Sequence, residues 1–185
     1  MSSPTRFWLT SGIGESDTSE LDAIDKAFMN SGLGYQNHIT VSSIPPVVEI
    51  IPEIDRAKGI TFIDVDDKFI MIPFSTNIHV VKSLSKGSVG QKHATCIALA
   101  KVFVKIREEQ IPCMLAFESK GETLDKTETM AIEGVKSMVQ ERRAKIDSSW
   151  GLSGFKTKSS FLEITKNFGC SVSFVVFDPF TYRNE

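Results

Sequence analysis

No apolar run in this chain approaches the roughly 20 residues that span a bilayer, so no transmembrane helix is expected. Cysteine is scarce. Cys96, Cys113 and Cys170 stand far apart with no C-x-x-C, which argues against a disulfide framework or zinc knuckle and predicts free, buried thiols in a reducing compartment. Histidine is equally sparse. His38, His79 and His93 share no helical or knuckle spacing, so no metal site is expected. No basic patch stands out, and the net charge is −2, which argues against a nucleic-acid partner. The opening "MSSPTRFWLTSG" lacks the basic and apolar regions of a secretory signal, which predicts a cytoplasmic protein. No internal repeat and no linker interrupts the chain.

What is there is a chain of 185 residues, 41% hydrophobic and 24% charged, enough for one domain over residues 1–185 with a core of its own. The pattern is mixed. Thr5 to Thr10 reads as a strand that ends in the loop "SGIGESDTS". Ser19 is an N-cap with Asp22 three residues on. Leu21, Ile24 and Phe28 follow at helical spacing as a core face, and Gly32 and Gly34 end the helix. "GITFIDVDDKFIMIPF" reads as a hairpin around Asp66-Asp67. Ser83 to His93 is polar and reads as a mobile loop. Ala94–Ile106 and Pro112–Ser119 read as strands. Leu124–Arg143 reads as a second helix with Ala131, Val135, Met138 and Val139 inward. "SFVVF", Ser173 to Phe177, is apolar almost throughout, as in a central strand covered on both faces. The fold class is α+β.

One stretch asks for chemistry. "NHITVSSIPPVVEIIPE", Asn37 to Glu53, begins as a strand and stops at two serines and two prolines. Ser-Ser occurs four times in the chain, but only Ser42-Ser43 closes a strand ahead of Ile-Pro-Pro. Alternation puts Ile39, Val41 and Ser43 on one face, so Ser43 should point inward. The prolines forbid a continued ladder and force a turn. An ordinary inward serine at a turn satisfies these features. A self-processing serine satisfies them too. There the Ser43 hydroxyl attacks the Ser42 carbonyl and shifts the acyl group from nitrogen to oxygen. β-Elimination then leaves dehydroalanine, and hydrolysis releases ammonia and leaves a pyruvoyl group. A strained, water-poor turn favours that attack.

"ITVSSIPPVVEIIPE" resembles the processing site of the pyruvoyl-dependent arginine decarboxylases. "SGIGESDTSELDAIDKAFMNSGLGYQN" is similar to the loop, helix and glycine turn that precede that site. "KGITFIDV" and "FGCSVSF" resemble later strands of the family. The match is weakest over residues 78–109, where an extra loop is expected. The resemblance implies cleavage between Ser42 and Ser43 into a β chain, 1–42, and an α chain, 43–185, which starts with a pyruvoyl cofactor at position 43. It also implies a four-layer αββα sandwich, a homotrimer of αβ units with sites between protomers, and conversion of arginine to agmatine and carbon dioxide in polyamine synthesis. A pyruvoyl ketone condenses with the substrate amine, and its neighbouring carbonyl takes electrons as carbon dioxide leaves.

The resemblance carries Asp25 to the cationic end of the substrate, where a carboxylate can pair with a guanidinium. It places Gly34 and Asn37 in the site lining. Asn37 and Ser43 are about 20 Å apart if extended, which agrees with sites completed by a neighbour. The family's proton-donating glutamate falls on Ala116 when "MLAFES" is matched without gaps. Glu118, two residues on, shares a strand face with Ala116 and is the candidate donor. That departure leaves two other readings open: the same chemistry on another amino acid, or an unprocessed, non-catalytic family member that acts as a binding or partner subunit.

Overall fold

The computed structural model describes residues 3–4, 6–45, 49–51, 54–57, 59–65, 68–150, 154–179 and 182–183. In chain order the elements are β1 (Ser3–Pro4), β2 (Arg6–Ser16), α1 (Glu20–Ser31), β3 (Asn37–Thr40), β4 (Glu49–Ile50) and β5 (Ile54–Ala57). Then come β6 (Ile60–Val65), β7 (Lys68–Met71), β8 (Asn77–Ser88), β9 (Lys92–Ile106) and β10 (Glu109–Gly121). The last third holds α2 (Leu124–Glu141), β11 (Lys145–Ile146), β12 (Phe155–Glu163), β13 (Phe168–Phe177) and β14 (Tyr182–Arg183). This is a mixed α+β fold rich in strands.

Two sheets carry the architecture. A five-stranded sheet runs in the order β3-β8-β13-β2-β4, with β13 central. Every residue of β13 after Phe168 is buried, as its unbroken apolar reading predicts. A second sheet is built on β9, which pairs β10 along one edge and β12 and β11 along the other. A small antiparallel meander, β5-β6-β7, stands beside them. The hairpin expected near Asp66-Asp67 is the β6–β7 pair, although residues 66–67 lie outside the described set.

Alternation along the strands assigns the core. Trp8, Val172, Phe174 and Val176 pack with Ala23 and Ala27 of α1. The opposite faces of those strands send Phe7, Val81, Val175 and Phe177 against Ile97, Leu99, Met114 and Ala116 of the second sheet. The far face of that sheet meets α2 through Cys96, Ala98, Leu115, Ala131, Val135 and Val139.

Three expectations change. The first strand does not end at Thr10 but runs to Ser16, paired with β13 throughout. Gly12 and Gly14 make this possible: a Cβ on either would stand 2.1 or 2.3 Å from a carbonyl oxygen of α1, so bare backbone lets helix and strand meet. The core stripe of α1 keeps Ile24 and Phe28, which pack part-buried against the core, but loses Leu21. Leu21 is 68% exposed, and Ala23, Ala27 and Ser31 are the buried residues. Small residues win the inner face because the helix lies so close to the sheet. The segment Ser83–His93 is not a mobile loop but the β8–β9 hairpin, with its turn at residues 89–90. Its polarity has a packing reason. Ser83 donates to the Ser119 carbonyl at 2.6 Å, and Ser85 bonds His93 Nδ1 at 2.6 Å. Nearby, Thr95 Oγ1 meets the hydroxyls of Ser160, Ser171 and Ser173 at 3.0, 3.2 and 2.9 Å. One end of the space between the sheets is hydroxyl-lined, so buried polar groups find partners there.

The caps follow the sequence reading. Ser19 Oγ accepts from Asp22 N at 3.1 Å, and Gly32 ends α1 at φ 85. Asp22 is more than a solvated carboxylate, since it also takes bonds from Ser16 and Lys26. Cys96 and Cys170 are buried free thiols, whereas Cys113 is only half-buried. Burial pushes the first two thiols up to about 12, which keeps them protonated and unreactive. No described helix is long and apolar enough to cross a membrane.

Candidate active site

Strand β3 lies at the edge of the five-stranded sheet, parallel to β8, with Thr40 opposite Val80. Val41 extends the pairing by one bond to the Val80 carbonyl at 2.9 Å. The chain then leaves this sheet and crosses to the edge strand of the other. The Ala116 amide of β10 donates to the Ser43 carbonyl at 2.9 Å. Ser43 therefore joins the edges of both sheets. It is half-buried, between exposed Ser42 and exposed Ile44, and Pro45 behind it is buried. The Ser42 hydroxyl accepts from Ile44 N at 3.4 Å. Hydrogen bonds thus flank the Ser42–Ser43 peptide on both sides. A group formed from Ser43 fits this position, because its carbonyl is already anchored and Ala116 adds only a methyl on the inner face.

Met114 and Ala116 point into the space between the sheets, while Leu115 packs toward α2. By alternation Glu118 shares the face of Ala116, about 7 Å further along. Glu118 is half-buried. Burial raises its carboxyl above the usual range, and the nearby Lys120 charge pulls the other way without cancelling it. A shift in that direction favours the protonated form, which is the form a donor needs.

The other expected residues lie elsewhere. Asp25 is exposed on α1, one turn before Met29 on the same helix face. A Cβ on Gly34 would meet the Met29 side chain at 2.3 Å, so Gly34 lies close beneath that turn. Asn37 is exposed at the start of β3, where its side chain donates to the Ser75 carbonyl at 3.1 Å. Gly34 thus lies beside Met29, one turn beyond Asp25, and Asn37 opens β3, while Ser42 and Ser43 stand past the end of that strand. Neighbouring His38 turns into the helix layer. It bonds the Leu33 carbonyl at 3.0 Å, meets Phe174 edge-on and lies tilted against Phe28. Burial lowers its pKa, which favours the neutral ring. The Ala116 amide is the contact that sequence reasoning missed. A backbone donor has no residue type to betray it, though the edge position of "MLAFES" was the available hint. Among the described residues, no group of His, Cys, Asp and Glu could hold a metal ion.

Comparison with known proteins agrees with this geometry. A family model described as pyruvoyl-dependent arginine decarboxylase (PvlArgDC) matches residues 6–182. A curated pyruvoyl-dependent arginine decarboxylase from Methanocaldococcus jannaschii is 32% identical over 139 residues, which covers 70% of this chain and 81% of that protein. The matched range takes in both the serine turn and the "MLAFES" strand. The chain belongs to the pyruvoyl-dependent arginine decarboxylase family.

Proposed function

We propose that this protein cleaves itself between Ser42 and Ser43 and then decarboxylates L-arginine to agmatine and carbon dioxide, a reaction that supplies polyamine synthesis. The observation that carries the reading is the position of Ser43, half-buried at the junction of two sheet edges with its carbonyl held by the Ala116 amide. A pyruvoyl group there supplies the carbonyl that accepts electrons as the carboxylate is lost. Glu118 returns a proton to the substrate carbon. Asp25 pairs with the guanidinium, and Gly34 and Asn37 line the pocket.

The proposed assembly is a homotrimer with sites between protomers, each unit a four-layer αββα sandwich. The layering is supported by three clusters: α1 on the five-stranded sheet, sheet on sheet, and α2 on the far side. Shared sites are supported by the separation of Asn37 from Ser43 along β3. They are supported too by apolar side chains exposed beside it: Ile39 at 42%, Ile44 at 50%, and the stacked pair Tyr35 and Phe74. Surface of this kind is commonly covered by another chain.

The deciding experiment reads the denatured mass of the purified protein and carbon dioxide release from carboxyl-labelled arginine. Two fragments divided at Ser42/Ser43, together with agmatine, are expected. Fragments without agmatine, but with carbon dioxide from another amino acid, would replace arginine as substrate. A single unprocessed mass with no turnover would leave the non-catalytic reading of the family fold.

A further inference from the structure

The bond between Ala116 and Ser43 has a place in the chemistry of self-cleavage. It ends on the oxygen of the residue that is chemically remade, and it comes from a backbone donor. Once the acyl group has moved to Ser43 Oγ, the chain is held together by an ester. To break it, the proton on Ser43 Cα must leave to water. The C–H electron pair becomes the Cα=Cβ double bond, the Cβ–Oγ bond breaks, and Ser42 departs as a carboxylate. Water then converts the dehydroalanine to pyruvoyl and ammonia. An α-proton next to an amide carbonyl is hard to remove, because negative charge collects on the carbonyl oxygen as it leaves. Here that oxygen is the Ser43 oxygen, 2.9 Å from Ala116 N.

We infer that the Ala116 amide is the oxyanion donor of self-cleavage: it acidifies Ser43 Cα and drives the elimination that frees the new cofactor. The inference deepens the self-processing reading and rests on it. Three features suit the amide to the role. Ala116 is fully buried, so water screens the donor end of the bond little. The amide sits in a paired strand, so it needs no reorganisation when charge develops. Strand β10 is the outer strand of its sheet, so this N–H is directed away from β9 and is free for the serine turn. The role also accommodates an alanine where the family has a glutamate, since any residue except proline supplies the donor.

The edge position makes the test feasible. Proline is tolerated on an edge strand where the missing N–H points outward, and Ala116→Pro forfeits no ladder bond to β9. Ala116→Gly keeps the donor and serves as control. Each protein is followed by denatured mass after synthesis, with and without hydroxylamine, which splits esters. Wild type and Ala116→Gly are expected to resolve into 1–42 and 43–185. Ala116→Pro is expected to process about 10²-fold more slowly, the usual effect of losing one such donor, and to accumulate a species that hydroxylamine splits at Ser42/Ser43. If the proline variant does not fold, the α-hydroxy acid placed at residue 116 removes the same N–H without the ring. The slowed release of fragment 43–185 is then the readout. Processing at the wild-type rate in a donorless protein overturns the inference. An unprocessed variant that resists hydroxylamine overturns it as well, because the donor would then act before the ester forms. A wild type that never cleaves removes the self-processing reading itself.

Discussion

The carbonyl of Ser43 and the amide of Ala116 close a 2.9 Å bond between chain segments of opposite sheets. The turn is thereby pinned on both sides, by β8 before it and by β10 after it. Ser43→Ala should leave that frame intact, because the bond uses backbone atoms alone. The variant is expected to fold, to melt within about 1 kcal/mol of wild type as for other small, part-exposed changes, and to remain one chain. Denatured mass and thermal melting check both halves. Cleavage in this variant would move the cofactor away from Ser43.

The proposed donor role of Glu118 ties the junction to turnover. Burial raises its carboxyl pKa, so the folded protein holds this proton more tightly than an unfolded chain does. Its contribution to folding is present at low pH and fades as pH rises through the raised pKa. Proton donation follows the same direction, with the rate falling as the acid form is lost. Glu118→Gln should leave cleavage at Ser42/Ser43 complete, lower arginine turnover by roughly 10²–10⁴-fold, and flatten that limb of the pH–rate profile. Turnover equal to wild type would remove Glu118 from the donor role.

The two ends of β3 were legible in different ways. Ser42-Ser43 stood out because hydroxyls followed by two prolines at a strand end break local rules. The caps of α1 and the apolar run of β13 were equally readable, since each depends on neighbours in sequence. The course of β2 past Thr10 was not, because its glycines look like loop residues until a helix is laid across them. The β8–β9 hairpin was missed for a similar reason. Its serines read as solvent-facing, but Ser83 is buried against the Ser119 carbonyl of β10 and Ser85 bonds His93 of β9. The Ala116 amide was at best hinted at by the edge position of "MLAFES", since its partner is set by which two strands form sheet edges.

The contact of α1 with β2 gives a stability test. A Cβ on Gly12 would stand 2.1 Å from the Ala27 carbonyl oxygen and 2.7 Å from Ser31 N. Both are backbone atoms, so the helix must shift as a unit. Gly12→Ala should lower stability by about 1–3 kcal/mol, the usual range for overpacking, despite the better strand propensity of alanine. Urea denaturation measures this. An unchanged midpoint would mean that the helix sits further from the strand.

The hydroxyl-lined end of the space between the sheets gives another. Thr95 Oγ1 contacts Ser160, Ser171 and Ser173. Thr95→Val keeps the shape and removes the shared partner. Leaving buried hydroxyls short of a bond should cost about 1–3 kcal/mol, and a melting shift checks it. The exposed pair Lys136 and Glu133, by contrast, should tolerate alanine with almost no shift.

The separation along β3 leads to the sharpest test of assembly. Asp25 lies on α1 and Asn37 at the start of β3, whereas Glu118 shares a strand face with Ala116, which is bonded to Ser43 past the end of β3. If one protomer had to supply every residue of a site, Asp25→Asn and Glu118→Gln would each remain defective in any mixture. With sites completed by a neighbour, a mixed trimer contains some interfaces where a wild-type Asp25 faces a wild-type Glu118. Random mixing of the two variants in equal amounts makes about a quarter of the interfaces of this kind in a cyclic trimer. Coexpressing the two variants, so that each precursor folds before it is cut and keeps its own 1–42 and 43–185 together, should therefore restore activity toward about a quarter of wild type, while each expressed alone stays low. Asp25→Asn by itself should act chiefly by raising KM for arginine if Asp25 is, as proposed, a charge partner of the guanidinium. No recovery on mixing would place each complete site within one protomer, and the distance from Asn37 to Ser43 would then have to be closed by rearrangement of the chain.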